Sequence, residues 1–395
     1  MPALPLRLPS IRIFLPRRIR FLQSVQKSDK RSKVTYPQIS ASTGYDRYSS
    51  ASSGRLTGSS DADQYSAGVN LSQMIYDFGK TRTQTDIQSL NLNASQSDLA
   101  NTQDQIIFNV RQSYFGRIAG IEKTKTVATE TVGQFQKHLD SAKGFYKVGT
   151  KPKFDVTKAE VDLSNARLNL IKADNALRLA IANLNNAMGV PDAPEYGIED
   201  NLEFHKKDIS FEEALETAYR SRPDLEALKI RKKSAEDSIR LAQKGFYPVV
   251  SGNAGYSWTD SSFPPSENSW NVGASVTFPI FSGYSTTYQV EEAKANLNVI
   301  ASNEEALRQS VFLDVQQAYL SLKEAEERIP ATALTVKQAK ENLDIADGRY
   351  ATGVGNPIEV TDAQIAYTNA KNNYTQALYD YQIAYSKLEK AAGLK

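Results

Sequence analysis

The chain has 395 residues, 40% of them hydrophobic, and a formal net charge of +2. It contains no cysteine, which excludes disulfides and thiolate metal sites, and no run of about 18 apolar residues, which excludes a transmembrane helix. Residues 1–35 carry nine of the 47 basic residues and one of the 45 acidic ones, so the remainder has a net charge of −6. We therefore expect no nucleic-acid binding by the body of the chain. The two histidines, His138 and His205, are far apart in sequence, so we expect no metal or cofactor and two partly exposed side chains.

The first 35 residues do not have the pattern of an export signal. Residues 1–22 contain four prolines and five arginines, with no clean apolar stretch and no small-residue cleavage site. A signal peptide needs both of the missing features. We expect an atypical N-terminal segment over 1–35, produced by a wrong start or a frameshifted leader, with the signal peptide missing. The chain as written should then fail to reach the cell envelope.

A first repeat is predicted over residues 36–189, and it opens with a β-hairpin over 38–79. Residues 65–72 alternate between apolar and polar side chains, which is the two-residue period of a strand. The same alternation is longer in a second hairpin, predicted over 248–283. Its apolar positions are Val250, Ala254, Tyr256 and Trp258 on one strand and Trp270, Val272, Ala274 and Val276 on the next.

Two interpretations of these hairpins compete. In a soluble sandwich the apolar face packs on a second sheet. In an outer-membrane barrel it meets lipid, small polar residues face water, and about 9–11 residues per strand suffice. Trp258 and Trp270 are the only two tryptophans and flank one loop, as an aromatic belt at a membrane interface would place them. Together with the small polar residues opposite, they favour the barrel.

Long helical hairpins are predicted after each β-hairpin, over 80–189 and 284–393. Residues 80–146 contain no proline and predict one helix, roughly 100 Å long at 1.5 Å per residue. Residues 286–350 predict its counterpart, with a kink at Pro330. In both returning helices small and large residues alternate in steps of three and four, the 3.5-residue period of a left-handed coiled coil. The first seam is Ala159, Leu163, Ala166, Leu170, Ala173, Leu177, Ala180, Leu184 and Ala187. The second is Ala363, Tyr367, Ala370, Tyr374, Ala377, Tyr381, Ala384, Leu388 and Ala391.

A linker over residues 190–246 separates the first repeat from the second, which covers 247–395. Ser210 and Glu213 form a capping box, which predicts the start of a short helix. The sequence RPDL at 222–225 then precedes a charged helix.

The most informative motif occurs twice, as YKVGTKPKFDVTKA at 146–159 and YATGVGNPIEVTDA at 350–363, 204 residues apart. In each copy a glycine, Gly149 or Gly353, suits the left-handed cap that ends a long helix. A proline then prevents the helix from resuming, and an acid complements the start of the next helix. We predict tight turns at the far tips of two hairpins, within a duplicated domain half.

Four strands per chain cannot close a barrel, for which about eight is the practical minimum. Unpaired strand edges inside a membrane are costly, so several chains would have to pool their strands. We expect an α+β membrane protein; three chains, with four strands from each, would give a trimeric 12-stranded β-barrel. A long α-helical coiled-coil barrel would continue from it.

With these features the sequence resembles the TolC-like outer-membrane efflux and type I secretion channels. The resemblance is carried by the duplicated strand and helix hairpins, the RPDL run and the twin tips, and it covers about residues 36–393. It implies a homotrimer with its barrel in outer-membrane lipid and its helical tunnel in the periplasm. It also implies a periplasmic adaptor protein that links the channel to an inner-membrane transporter. The channel would be a passive exit duct without enzymatic activity.

The resemblance also implies roles for residues at the tips. The periplasmic entrance or gate would comprise Asp155, Tyr350, Glu359 and Asp362. The adaptor-docking tips would comprise Val148, Gly149, Thr352 and Gly353. Three copies of Glu359 and Asp362 would place six carboxylates around the entrance, which would favour cations and raise some carboxyl pKa values. In the plainer interpretation, Glu359 only complements a helix N-terminus and Asp362 is a solvated residue.

One position departs from the family pattern. Some members carry an arginine two residues after the second glycine, where it forms an ionic lock, whereas this chain has Gly355. We therefore expect a different or looser closed state. The alternative to a channel is a non-conducting periplasmic coiled-coil scaffold, which would stay soluble without detergent. An enzyme is disfavoured because the sequence shows no nucleophile–base constellation, phosphate-binding loop or metal cluster.

Overall fold

The computed structural model describes residues 18–23, 25–26, 36–51, 59–115, 120–193 and 204–394. The chain divides into two compact units. One includes Ser97–Glu226 and Ala306–Lys395, and the other includes Arg20–Gln96 and Ala227–Glu305. Most of the N-terminal segment predicted over 1–35 lies outside the described residues. Within it, residues 18–23 and 25–26 are helical.

The second unit contains one antiparallel sheet whose strands follow chain order. Its strands are β1 (Gln38–Ala51), β2 (Ser59–Tyr76), β3 (Val249–Asp260) and β4 (Glu267–Thr277). The pairing of β2 with β3 joins the hairpins of the two repeats into one sheet. Both predicted hairpins are present, as β1 with β2 and β3 with β4. Within the described sheet, β1 and β4 each have one unpaired edge.

The strand register separates apolar from polar side chains over the central part of the sheet. Tyr256 is opposite Val69 on one side and Trp270 on the other, and Ala254 is opposite Leu71 and Val272. Because side chains alternate along a strand, the residues between them occupy the other face. That face carries hydroxyl pairs across β3 and β4, such as Ser251 with Ser275 at 3.1 Å and Ser257 with Ser269 at 2.9 Å. The predicted alternation is therefore present on neighbouring strands in matching register.

Seven helices of eleven residues or more lie in the described part of the chain. They are α1 (Lys80–Ser113), α2 (Gly120–Lys147), α3 (Lys153–Ala187), α4 (Phe211–Ser221), α5 (Pro223–Gln243), α6 (Ser285–Ala351) and α7 (Pro357–Ala391). None of the described helices is both long and apolar enough to span a bilayer. The 67 residues of α6 match the long helix predicted in the second repeat and include Pro330.

The helix predicted over 80–146 is described in two parts. The structure describes two helices there, α1 and α2, with a wider helical turn at residues 114–115. Residues 116–119 lie outside the described part of the chain.

Most residues of the seams predicted in the returning helices are buried, and the others are half-buried. Phe135, Leu139 and Ala142 of α2 pack against Ala159 and Leu163 of α3. In α7 the seam residues Ala377, Tyr381, Ala384, Leu388 and Ala391 belong to the largest buried cluster, together with Val311, Val315 and Leu322 of α6. The alternation of small and large side chains thus predicted which helix faces pack together.

The linker helices are fixed by a cap and a buried arginine. Ser210 accepts a hydrogen bond from the backbone N–H of Glu213 at 3.2 Å, as the capping box predicts. The Arg222 side chain, 13% exposed, donates to Asp224 at 2.7 Å and to Asp314 of α6 at 3.1 Å. Although burial opposes ionisation, hydrogen bonds from Arg222 and its charge lower the pKa of Asp224. The RPDL run therefore ties the linker to α6.

Candidate functional site

The first hairpin tip is a tight turn between α2 and α3. Gly149 has a φ of +75°, a conformation that glycine adopts without steric cost. Its N–H donates to the carbonyl of Tyr146 at 3.0 Å, and the N–H of Thr150 donates to the carbonyl of Phe145 at 3.0 Å. Pro152 then precedes the first residue of α3. The turn predicted from the first motif is confirmed.

The second tip has a tighter constraint than the sequence motif suggests. Gly353 has a φ of +83°, as predicted for the cap. The N–H of Gly355 donates to the carbonyl of Arg349 at 2.8 Å. A Cβ at position 355 would lie 2.7 Å from the Tyr350 amide nitrogen and 2.8 Å from the Arg349 carbonyl carbon. This turn has no room for any side chain at 355, which gives a physical reason why no arginine stands there.

The residues predicted to dock an adaptor are all exposed. Val148 and Gly149 lie in the first turn, and Thr352 and Gly353 lie in the second. Val354, which the sequence did not single out, is also exposed beside them. An adaptor contact at these positions stays a prediction.

Asp155 and Tyr350 come together from different hairpins. Tyr350 of α6 is 3% exposed and packs with Leu343 and Val360. Asp155 lies in the first turn of α3 and is 4% exposed. Burial, followed by the charge and hydrogen-bonding capacity of Asp155, raises the pKa of Tyr350 to about 12. Because the Tyr350 hydroxyl and Asp155 Oδ2 reach no described partner with standard hydrogen-bond geometry, their contact is loose.

Glu359 and Asp362 lie apart from that buried contact. Both are exposed on α7. The Arg349 Nε lies 3.4 Å from Glu359 Oε2, with both side chains about half exposed. An exposed pair of this kind contributes about 0–1 kcal/mol, but it places a positive charge beside one of the two predicted acids. Sequence reasoning missed Arg349, because it lies one residue before the second copy of the repeated motif, which begins at Tyr350.

His138 is buried, and the prediction of a partly exposed side chain was wrong. It is 8% exposed on α2, and its ring centroid lies 4.7 Å from that of Tyr350. Its Nε2 is buried without a hydrogen-bond partner among the described residues. Burial lowers the pKa of His138, while the nearby charges of Asp347, Asp162 and Asp155 oppose that shift. The ring is enclosed because α2 packs against the second hairpin here, which no local sequence pattern indicates.

A cavity of about 250 Å³ adjoins His138. Its walls come from α2, α6 and α7, and include Phe135, Phe145, Asp347 and Gln364. Burial raises the pKa of Asp347. His138 and Asp347 therefore both border the cavity between the two hairpins, and burial lowers the pKa of the first and raises the pKa of the second.

Further polar contacts join the two hairpins. Asp162 of α3, itself buried, accepts a hydrogen bond from the hydroxyl of Thr361 of α7 at 2.8 Å. The same carboxylate is held by Lys158 Nζ at 2.6 and 2.7 Å. Farther from the tips, Thr131 and Thr368 hydroxyls lie 3.0 Å apart. Sequence reasoning missed these contacts, because they depend on how α3 and α7 meet.

The predicted aromatic belt residues flank the loop between β3 and β4. Trp258 is half-buried, its ring 4.6 Å from that of Tyr256, and Trp270 is exposed. Their position at a membrane interface stays a prediction. Among the described residues, no group of three or more His, Asp or Glu side chains is placed to hold a metal ion.

The family model described as outer membrane efflux protein matches residues 28–190 and 214–394. The chain belongs to this family. The first matched segment includes the first repeat, and the second includes residues 214–246 together with the second repeat as far as residue 394. The function of the chain is that of an outer-membrane channel of efflux pumps. The resemblance inferred from the sequence and the outer-membrane location are thereby confirmed.

Individual relatives are distant in sequence but similar in extent. The chain is 24% identical to the outer membrane protein TolC of Vibrio cholerae over 366 residues, which cover 90% of this chain and 82% of that protein. It is 22% identical to the cation efflux system protein CusC of Escherichia coli O157:H7, over 91% of this chain and 78% of that protein. Its fold is similar to that of the Campylobacter jejuni CmeC outer membrane channel. The TM-score is 0.83 and the identity 19%, over 98% of this chain and 84% of that one.

Proposed function

We propose that three copies of the chain form one channel, which is the passive exit duct of a tripartite efflux pump. An inner-membrane transporter delivers the substrate through a periplasmic adaptor, and the channel performs no chemistry of its own. Relatives are named for the efflux of cations, an antibiotic and toluene. The duct therefore accepts what its transporter delivers and does not select one chemical class.

The unpaired edges of the four-stranded sheet carry the proposal of a trimer. Strands of 11–18 residues are long enough to cross a membrane. The free edges of β1 and β4 would be prohibitively costly in lipid. Pairing β4 of one chain with β1 of the next removes both edges, and three chains close a barrel of twelve strands. Trp258 and Trp270 then belong to its aromatic belt.

The tips form the periplasmic entrance in this proposal. The loose contact of Asp155 with Tyr350 links the two hairpins of one chain, and Glu359 and Asp362 supply exposed negative charge. Repeated three times, these acids favour cations at the entrance. The exposed turn residues Val148, Gly149, Thr352 and Gly353 meet the adaptor. The absence of space at Gly355 supports a closed state without an arginine lock.

Single-channel conductance in planar bilayers tests the duct and its entrance together. We expect discrete, cation-selective openings from the detergent-purified protein. The double variant Glu359→Gln, Asp362→Asn should lose most of that selectivity. A matched control is Glu341→Gln with Glu305→Gln, which removes two exposed acids of α6 outside the tips and should leave the selectivity unchanged.

The other outcomes of the conductance measurement distinguish between the alternatives. Openings whose selectivity survives the tip variant, or falls equally in the control, would place the filter elsewhere in the duct. No openings from a protein that stays soluble without detergent would refute the channel and support the periplasmic scaffold. A particle mass in detergent that is not three chains would refute the trimer.

A further inference from the structure

Lys151 of the first tip contacts the second tip through three groups. Its Nζ donates to the backbone carbonyl of Gly353 at 3.2 Å and to that of Gly355 at 3.0 Å. The same nitrogen lies 5.4 Å from the ring centroid of Tyr350. All three partners belong to the second hairpin, 199 or more residues away in sequence.

The chemistry of these partners suits a cation. The carbonyl oxygens of Gly353 and Gly355 are hydrogen-bond acceptors of the turn, two and four residues beyond the end of α6 at Ala351. The C-terminal end of a helix carries partial negative charge, so a cation is favourable beside it. An ammonium group donates up to three hydrogen bonds, and the face of a tyrosine ring attracts it as well. Lys151 therefore matches both the geometry and the charge of this helix end.

The second tip cannot supply such a cation at position 355. Any side chain there would collide with the backbone of Arg349 and Tyr350. The Arg349 side chain is next to Glu359 instead. Lys151 of the first hairpin instead places a positive charge next to the carbonyls of Gly353 and Gly355.

We infer that Lys151 is the residue that holds the second tip against the first and so sets how readily the entrance opens. The inference rests on the proposed function, because it takes the tips as the entrance. Movement of one tip away from the other must break both carbonyl contacts and the ring contact. Since hydrogen bonds to charged groups are stronger than neutral ones, their loss shifts the equilibrium between joined and separated tips by roughly tenfold.

The distance between the tips can be measured directly, because the chain has no cysteine of its own. Spin labels are attached through Val148→Cys and Val354→Cys, both at exposed positions, and labelled chains are mixed with an excess of unlabelled ones. Pulsed electron resonance then reports the distance within one chain. Lys151→Met, which keeps the length of the side chain but cannot donate, should broaden this distribution toward longer distances. Lys151→Arg should restore much of the original distribution.

The matched control is Lys147→Met, which removes an exposed lysine at the end of α2 and should leave the distribution unchanged. Helix content and the midpoint of thermal unfolding should stay the same in all three variants, since the link is local. In bilayers, Lys151→Met should raise the open probability roughly tenfold. An unchanged distance distribution in Lys151→Met would overturn the inference. If the wild-type protein does not conduct at all, the channel proposal fails, while the distance measurement still decides the link between the tips.

Discussion

Replacing Gly355 by alanine would place a methyl group against the last turn of α6. Its Cβ would lie 2.7 Å from the Tyr350 amide nitrogen and 3.0 Å from the Tyr350 Cα. These are backbone atoms of a helix, so they cannot move away without breaking the bond between Gly355 N–H and the Arg349 carbonyl. Overpacking of this kind costs about 1–3 kcal/mol. The turn should therefore open about 5- to 150-fold more often.

Hydrogen exchange of backbone amides, followed by mass spectrometry, measures that opening where it occurs. In Gly355→Ala, amides of a peptide covering 349–356 should exchange faster by this factor, whereas a peptide covering α4 should not change. Gly348→Ala is a closely matched control. It adds the same methyl group seven residues earlier, where a Cβ meets nothing within 4 Å.

The control should also act in the opposite direction. Glycine inside a helix costs about 0.5–1 kcal/mol relative to alanine, so Gly348→Ala should slow exchange at the end of α6. Equal exchange in Gly355→Ala and the wild type would refute the steric argument. Faster exchange in both variants would show that the tip responds to any change near it and not to contact at Gly355.

Two further predictions concern titration and the linker. Burial lowers the pKa of His138, so a state that exposes its ring binds the proton more tightly, and acidification from about pH 7.5 to 5.5 should favour separated tips. The open probability should rise over that range in the wild type and in His205→Gln, but not in His138→Gln. Burial raises the pKa of Asp347, so protonation of Asp347 at lower pH favours joined tips and opposes the effect of His138. A rise in open probability that persists in His138→Gln would contradict the assignment to His138. Arg222→Met leaves Asp224 without its partner and should lower stability by about 2 kcal/mol. Thermal unfolding monitored by circular dichroism checks this, with the exposed Arg220→Met as the control that should not shift the midpoint.

Periodic features were predictable because they repeat over many residues. The alternation of alanine with leucine or tyrosine gave the buried faces of α3 and α7, and the period of two gave the strands of both hairpins. Local turn chemistry was equally informative. Gly149, Gly353 and the Ser210 capping box each determine a backbone conformation through the residue itself.

Contacts between the hairpins were not predictable in this way. His138 and Lys151 occupy polar, unremarkable positions in their own segments, and their surroundings are set by residues about 200 positions away. The proximity of Arg349 to Glu359 likewise depends on the angle at which the chain leaves the second turn.

The duplicated tips also differ in their surroundings. Tyr350 is buried, whereas its repeat counterpart Tyr146 is exposed; Asp155 is buried, whereas its counterpart Glu359 is exposed. A trimer of such chains has threefold symmetry but six tips, which alternate between two kinds around the ring. A partner ring of six identical subunits would therefore meet two different surfaces in turn, whereas one of three subunits would meet a single repeated surface. The divergence of the two repeats thus bears on the stoichiometry with which other proteins can assemble on this channel.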